Sequence, residues 1–94
     1  MPEKPPGMIV VLDANALMMP FQFGINIDIE LGRLMPGCEI VVPSSVMIEL
    51  EAVLKMAKGL GAVIVTNDKE LRSRAQAMGL RVIGLRGKNH LEML

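Results

Sequence analysis

Aromatic residues, cysteine and histidine are scarce in this chain of 94 residues. Tryptophan and tyrosine are absent, and the aromatic side chains are those of Phe21 and Phe23. A single cysteine, Cys38, excludes a disulfide within the chain and favours a reducing, cytoplasmic location. The lone histidine, His90, lies in a polar tail, so neither a Cys/His zinc site nor a Ser/His/Asp triad is expected.

Long apolar runs are also missing, although 51% of the residues are hydrophobic. No run approaches the roughly 20 apolar residues that span a bilayer, so we expect no contact with a membrane. The polar, proline-rich start, MPEKPPG, does not resemble a signal peptide and is expected to be a mobile leader at residues 1–7. The length and composition therefore predict one small domain over residues 1–94, with its nine methionines helping to fill the core.

Charge is unevenly distributed along the chain, although the formal net charge is zero. Residues 1–51 carry two basic and seven acidic residues, whereas residues 52–94 carry eight basic and three acidic ones. This asymmetry suggests a basic surface near an acidic edge, which would suit a polyanion that is bound and then cut. A solvated basic helix would produce the same asymmetry.

Two apolar runs each lead directly to a carboxylate. Met8–Leu12 is followed by Asp13, and Ala62–Thr66 is followed by Asn67 and Asp68. As parallel neighbours these strands would bring both acids to one sheet edge, where a divalent cation would relieve their repulsion. The alternative is that Asp13 only ends a strand and Asp68 only helps to cap a helix.

The remaining pattern alternates strands and helices. Apolar spacing predicts strands at Glu39–Val42 and Leu80–Leu85, and helices at about Asn26–Met35, from Ser44 or Ser45 to about Lys58, from about Lys69 to Gly79, and at Asn89–Leu94. Pro20 is expected to end any helix that begins at Ala14, and Asn67 with Glu70 is expected to form a capping box. This order predicts a three-layer α/β/α sandwich with a central parallel sheet.

Three stretches of the chain resemble a PIN domain, the nuclease fold of many RNA-cutting proteins. They are VVLDANAL, VPSSVMIELE and AVLKMAKGLGAVIVTNDKELRSRAQAMGLRVIGLRGK. The resemblance is greater to archaeal PIN proteins related to ribosomal-RNA-processing nucleases than to toxin nucleases. It implies Mg²⁺ or Mn²⁺ held by a cluster of acids, which map here to Asp13, Glu49, Glu51 and Asp68, with Asn15, Thr66 and Asn67 in support.

The middle of the domain departs from this family pattern, because Glu49 and Glu51 are only two residues apart. PIN domains usually carry a further stretch between the second acid and the third. Either the domain is shortened and a single helix carries both glutamates, or an intervening segment is missing from the chain. Two residues turn a helix by about 200°, so a merged helix could aim only one of them at a metal. The alternative role for Glu51 is an ion pair with Lys55.

The resemblance implies metal-dependent hydrolysis of RNA, with Asp13, Glu49 and Asp68 as catalytic acids. Backbone contacts are expected from Lys69, Arg72, Arg74, Arg86 and Lys88. Because aromatic residues are so few, phosphate contacts are expected to dominate over base stacking. A homodimer, a ribosomal-processing factor and an antitoxin are further partners to consider.

Two other functions are compatible with the same residues. The first is a degenerate PIN-like module that binds RNA or protein without cutting, which the shortened middle favours. The second is a phosphotransfer domain with acids at its sheet edge. Asn15 occupies the position where an aspartate-nucleophile phosphatase has a second aspartate, which disfavours this reading.

Overall fold

The computed structural model describes residues 8–43, 49–87 and 89–94. Strands and helices alternate through most of these residues, as the sequence predicts. The elements are β1 (Ile9–Leu12), α1 (Ala14–Phe23), α2 (Ile27–Leu34), β2 (Glu39–Val41), α3 (Leu50–Leu60), β3 (Val63–Val65), α4 (Lys69–Ala77), β4 (Val82–Arg86) and β5 (His90–Met93). No helix in these residues is long and apolar enough to cross a membrane.

The sheet has the strand order β2-β1-β3-β4-β5, and its first four strands are parallel. Strands β1 and β3 lie next to each other, and their apolar runs are buried as expected for interior strands of a parallel sheet. From β1 the chain first builds outward to β2 and then returns to place β3 on the other side. The order therefore reverses between β1 and β3, and open α/β sheets bind ligands at such a point.

Helices cover both faces of the sheet, which confirms the predicted three-layer architecture. On one face α1 and α2 bury Met19 and Leu31 against Val10. On the other face α3 and α4 bury Leu54 and Leu71 in the same cluster as sheet residues Val11, Ile64 and Val82. Neighbouring strand residues point to opposite faces, so each of the two clusters receives alternate side chains of β1.

Helix α1 continues through Pro20, so the prediction that this proline ends the helix is wrong. A proline inside a helix removes one backbone hydrogen bond. Met19, immediately before it, is completely buried against the sheet, and this packing keeps the turn helical. The helix ends instead at Gly24, whose positive φ of 67° allows its N–H to donate to the carbonyl of Pro20.

The last segment is a strand, so the prediction of a helix at Asn89–Leu94 is also wrong. Strand β5 pairs antiparallel with β4, which makes the sheet mixed rather than wholly parallel. Leu91 is fully buried and Met93 packs on the same cluster, while His90 is exposed. This alternation has the period of two that is typical of a strand, and it extends over only four residues.

Helix α3 begins later than the sequence predicts. Its first residue is Leu50, and Glu49 is the residue before it, with an extended backbone. The predicted helix start at Ser44 or Ser45 lies outside the described residues. Asn26 and Asp28 are both plausible N-caps of α2 by residue type, and Asn26 is the one that caps it, because its side chain accepts a hydrogen bond from the backbone N–H of Ile29 at 3.1 Å.

A polar contact attaches α2 to the edge strand β5. Glu30 Oε1 accepts hydrogen bonds from the backbone N–H of Leu91 at 2.9 Å and from Arg33 Nη2 at 3.0 Å. Arg33 Nη2 also donates to the carbonyl of Leu91 at 2.6 Å. The Leu91 hydrogen bond, and then the Arg33 guanidinium, lower the pKa of Glu30. The ionised form of Glu30 therefore stabilises the folded state.

We predict that Glu30→Gln lowers the melting temperature at pH 7. Folding lowers the pKa of Glu30, so ionised Glu30 stabilises the folded state at any pH above the ordinary glutamate pKa. This stabilisation is lost as the pH falls through the lowered pKa that Glu30 has in the folded state. The two proteins should therefore converge in melting temperature as the pH falls below the ordinary pKa of glutamate. Circular dichroism melts over a pH series measure this difference.

Glu70→Gln is the matched control for this experiment. Glu70 pairs with Arg74 at 3.3 Å, but both side chains are at least half exposed, and such surface pairs contribute little. Equal melting temperatures of wild type and Glu30→Gln at pH 7 would contradict the role assigned to Glu30.

Candidate active site

Asp13 lies at the carboxyl end of β1, where it is the N-cap of α1. One oxygen, Oδ1, accepts a hydrogen bond from the backbone N–H of Ala16 at 2.8 Å. The other, Oδ2, accepts one from the hydroxyl of Thr66 at 2.6 Å. The residue is only 5% exposed, so these partners hold its carboxylate in one position.

Thr66 connects the two acids that the sequence singles out. It follows β3 directly and is 1% exposed. Its hydroxyl donates to Asp13 and also accepts a hydrogen bond from the backbone N–H of Asp68 at 3.0 Å. One buried hydroxyl thus fixes the side chain of the first acid and the backbone of the second.

Asp68 is the N-cap of α4, so the prediction that Asn67 fills this position is wrong. Asp68 Oδ1 accepts hydrogen bonds from the backbone N–H groups of Glu70 at 2.8 Å and Leu71 at 3.1 Å. Its backbone is extended, and the helix begins one residue later, at Lys69. Asn and Asp are equally good caps, so the sequence alone could not decide between adjacent residues.

A hollow of about 100 Å³ lies between the two acids. It is lined by Asp13, Ala14, Asn15, Leu50, Val53, Asp68 and Leu71. These residues come from the first turns of α1, α3 and α4 or directly precede them. Helix N-termini carry partial positive charge, and here the carboxylates of Asp13 and Asp68 already cap two of the three, those of α1 and α4.

The two carboxylates are close enough to influence each other. Burial raises the pKa of Asp13, hydrogen bonds from Thr66 and Ala16 oppose this effect, and the charge of Asp68 raises the pKa further. The side chain of Asn15 lowers the pKa of Asp13 to a smaller extent. The net shift is upward, so a bound cation would relieve an unfavourable negative charge at this position.

Neither glutamate of the middle region lines this hollow. Glu49 is exposed and its side chain makes no capping hydrogen bond, although the adjacent Leu50 does reach the hollow. Glu51 instead lines a separate groove beside Lys55 and Arg74. Across residues 8–43, 49–87 and 89–94, no three or more acidic, histidine or cysteine side chains are grouped to hold a metal.

The two aspartates fit a magnesium-type ion by their chemistry. Mg²⁺ keeps several waters and is commonly bound through one or two carboxylates together with substrate phosphates. Asp68 Oδ2 accepts no hydrogen bond from the part of the chain that the structure describes. Within the same described residues, Thr66 is the hydrogen-bond donor to Asp13 Oδ2, and a carboxylate oxygen has two lone pairs.

The basic residues predicted to contact RNA differ in exposure and in ion pairing. Lys69 is exposed at the start of α4, and Arg72 is half-buried one turn later. Arg74 forms an ion pair with Glu70, and Arg86 forms one with Glu92 at 3.3 Å. Lys88 lies outside the described residues. In sequence, Lys69 directly follows Asp68 and Arg72 directly follows Leu71, and both of these neighbours line the hollow.

A family model described as "PIN like domain" matches residues 10–63, more than half of the chain. The chain belongs to the PIN domain family. PIN domains are in general nucleases and typically use divalent metal ions. The match includes Asp13, Glu49 and Glu51 but ends before Asp68, whose place beside Asp13 comes from the structure. Comparison with curated proteins finds no match, and comparison with solved structures finds none either.

The apolar lining of this PIN domain's hollow could not be identified as part of a site from the sequence. Leu50, Val53 and Leu71 line it beside the acids. In sequence they belong to the ordinary apolar stripes of α3 and α4, which also build the core. Only the packing of two helices across the ends of β1 and β3 distinguishes them.

We predict that Asp13→Asn raises the melting temperature at pH 7 in EDTA. Asparagine keeps the N-cap and removes a buried negative charge. Because folding raises the pKa of Asp13, its contribution to stability is full at low pH and is lost as the pH rises through the folded-state value. The advantage of Asp13→Asn should therefore shrink at acidic pH.

Two comparisons complete this test. Asp13→Ala removes the cap as well and should cost about 1 kcal/mol relative to Asp13→Asn. Added Mg²⁺ at tenfold excess over its dissociation constant should raise the free energy of unfolding of wild type by about 1.4 kcal/mol, and therefore its melting temperature, but should leave Asp13→Asn unchanged. A lower melting temperature for Asp13→Asn at pH 7 in EDTA would contradict the assignment of a destabilising buried charge.

Proposed function

We propose that this PIN domain is a metal-dependent endoribonuclease that hydrolyses phosphodiester bonds in single-stranded RNA. The observation that carries the proposal is the pair Asp13 and Asp68, connected through Thr66 and facing one hollow. Its position at the switch point between β1 and β3 supports ligand binding there.

The residues of the chain have distinct roles in this mechanism. Asp13 and Asp68 would hold Mg²⁺ or Mn²⁺, which supplies an activated water and neutralises phosphate charge when bound. Thr66 would orient the Asp13 carboxylate through its hydrogen bond, and Asn15, which also lines the hollow, would support it. Asn67 is exposed and directly precedes Asp68, where it would support the second acid.

Glu49 is the preferred third acid in this proposal. It directly precedes Leu50, which lines the hollow, so a change of its side-chain rotamer would bring it nearer to the aspartates. Glu51 is not preferred, because its side chain lines the groove with Lys55 and Arg74 instead.

The substrate is proposed from charge and from resemblance. Lys69 and Arg72 would bind the RNA backbone beside the hollow, and Arg74, Arg86 and Lys88 are further candidates for backbone contacts. The resemblance to archaeal rRNA-processing PIN proteins supports ribosomal RNA as the substrate and a cytoplasmic location. A processing factor is then a more natural partner than an antitoxin.

A second candidate function is a binding module that has lost cleavage. The observation that favours it is that the described residues bring together two acids rather than three. Such a module would bind RNA through the same basic residues of α4 and would not depend on Asp13.

We predict that wild type cleaves a labelled single-stranded RNA with Mn²⁺ or Mg²⁺ and not with EDTA. Asp13→Asn and Asp68→Asn should each lose about 100-fold or more, because they remove a ligand while keeping the helix cap. Thr66→Val should lose about 10- to 100-fold through misorientation of Asp13. Gel-resolved cleavage rates measure these losses.

Glu51→Gln is the control and should cut at the wild-type rate, since its side chain lies in another groove. Equal cleavage by wild type and Asp13→Asn would contradict the site. RNA binding without any metal-dependent cleavage would support the binding module instead.

We predict that the double variant Lys69→Gln, Arg72→Gln weakens the salt dependence of RNA binding. Each phosphate contact to a single strand contributes about −0.7 to the slope of log K against log salt, so the slope should become shallower by about 1.4. Fluorescence anisotropy at several salt concentrations in EDTA measures the slope. Arg81→Gln is the control, because Arg81 precedes β4 and lies at the opposite edge of the sheet. A slope change as large in Arg81→Gln would contradict a specific path along α4.

A further inference from the structure

The outward face of α1 is apolar and uncovered. Phe21 is 83% exposed, Met18 48% and Leu17 37%, and these three side chains are here called the α1 platform. The helix contains no charged residue, and its opposite side packs on the sheet through Ala16 and Met19. Asn15 and Gln22 are also exposed on this helix, but a group of exposed large apolar side chains commonly marks a binding surface.

The α1 platform begins at the candidate active site. Ala14 lines the hollow, and Leu17, Met18 and Phe21 follow it at i+3, i+4 and i+7, the spacing of one helix face. Phe21 lies about 10 Å along the helix axis from Ala14. An RNA strand that leaves the hollow along this face would therefore reach the ring of Phe21 after about 10 Å.

We propose that the α1 platform stacks unpaired bases of the RNA strand whose phosphate occupies the hollow. The inference rests on the proposed function and extends it to how the substrate is held. Bases stack on aromatic side chains without regard to sequence, and unpaired RNA bases are recognised in this way. Lys69 and Arg72 would hold the backbone on the α4 side of the hollow while the platform holds bases on the α1 side.

A single strand fits the α1 platform better than a second copy of the chain does. The three exposed side chains offer on the order of 300 Å² of surface. A stable protein interface buries about 800 Å² on each partner, which is more than twice as much. The lack of acidic groups on α1 also avoids repulsion of a polyanion.

This inference revises one expectation from the sequence. The low aromatic content predicts little base stacking. Composition alone does not show, however, that one of the two phenylalanines is exposed beside the site. Phe23 is 36% exposed, whereas Phe21 is the most exposed large hydrophobic residue among those that the structure describes. One aromatic ring is enough for one stacked base.

The absence of tryptophan makes Phe21→Trp a specific probe, because it introduces the only indole in the chain. Single-stranded oligouridylate of about 12 nucleotides is added in EDTA, which prevents cleavage. We expect tryptophan emission to be quenched in parallel with binding measured by anisotropy. Ile29→Trp is the matched control, because Ile29 is 66% exposed on α2, and its emission should not follow binding.

Substitution by alanine gives an independent readout. Phe21→Ala should weaken binding about 5- to 150-fold, the range that loss of one stacked base produces. Ile29→Ala should bind as wild type does. Circular dichroism confirms that each variant is folded, which is expected because both side chains are exposed.

The outcomes separate this inference from the proposed function. Metal-dependent cleavage by wild type with unchanged binding by Phe21→Ala and no quenching in Phe21→Trp would overturn the platform and leave the nuclease intact. Failure of wild type to bind any single strand would overturn both. A wild-type dimer in sedimentation that Phe21→Ala converts to monomer would assign the face to a second copy and overturn the inference.

Discussion

The hydroxyl of Thr66 makes the contact on which the site depends. It donates to the carboxylate of Asp13 and accepts from the backbone of Asp68, so it joins the ends of two adjacent parallel strands. All three residues stand where β1 and β3 end and α1 and α4 begin. Without this contact, the buried Asp13 would lose a hydrogen bond that offsets the cost of its charge.

Both acids also serve the fold, because each is the N-cap of a helix. Capping uses Oδ1 in each residue and leaves Oδ2 towards other partners. The two readings of the sequence, a structural cap and a metal ligand, are therefore compatible. A cap fixes the carboxylate in place before any ion binds, which favours a preorganised site.

Much of the fold follows from the order of apolar runs. The runs before Asp13 and Asp68 are short and unbroken, which is how buried parallel strands appear in sequence, and they are neighbours in the sheet. Predictions from the sequence were wrong where local preference for one secondary structure was overridden by packing. Pro20 stays within a helix because Met19 is buried, and the terminal strand β5 pairs with β4 across a turn at Gly87. Both outcomes also depend on packing against distant parts of the chain, because Met19 and Leu91 are buried in one cluster with Val10 and Val65.

The candidate site was predictable in its aspartates and not in its glutamates. Asp13 and Asp68 follow strands, so the topology determines their edge. The directions of Glu49 and Glu51 depend on where α3 begins, and helix starts are set by local backbone geometry that apolar periodicity does not reveal. The exposure of Phe21 likewise comes from the packing of α1 on the sheet.

The measurement that tests the central claim most directly is Mn²⁺ binding by isothermal titration calorimetry. Wild type and Glu51→Gln should bind the ion with similar affinity, and Asp13→Asn and Asp68→Asn should each lose at least about tenfold. That pattern would identify the two aspartates as the metal site of this PIN domain. Unchanged binding in both asparagine variants would contradict it.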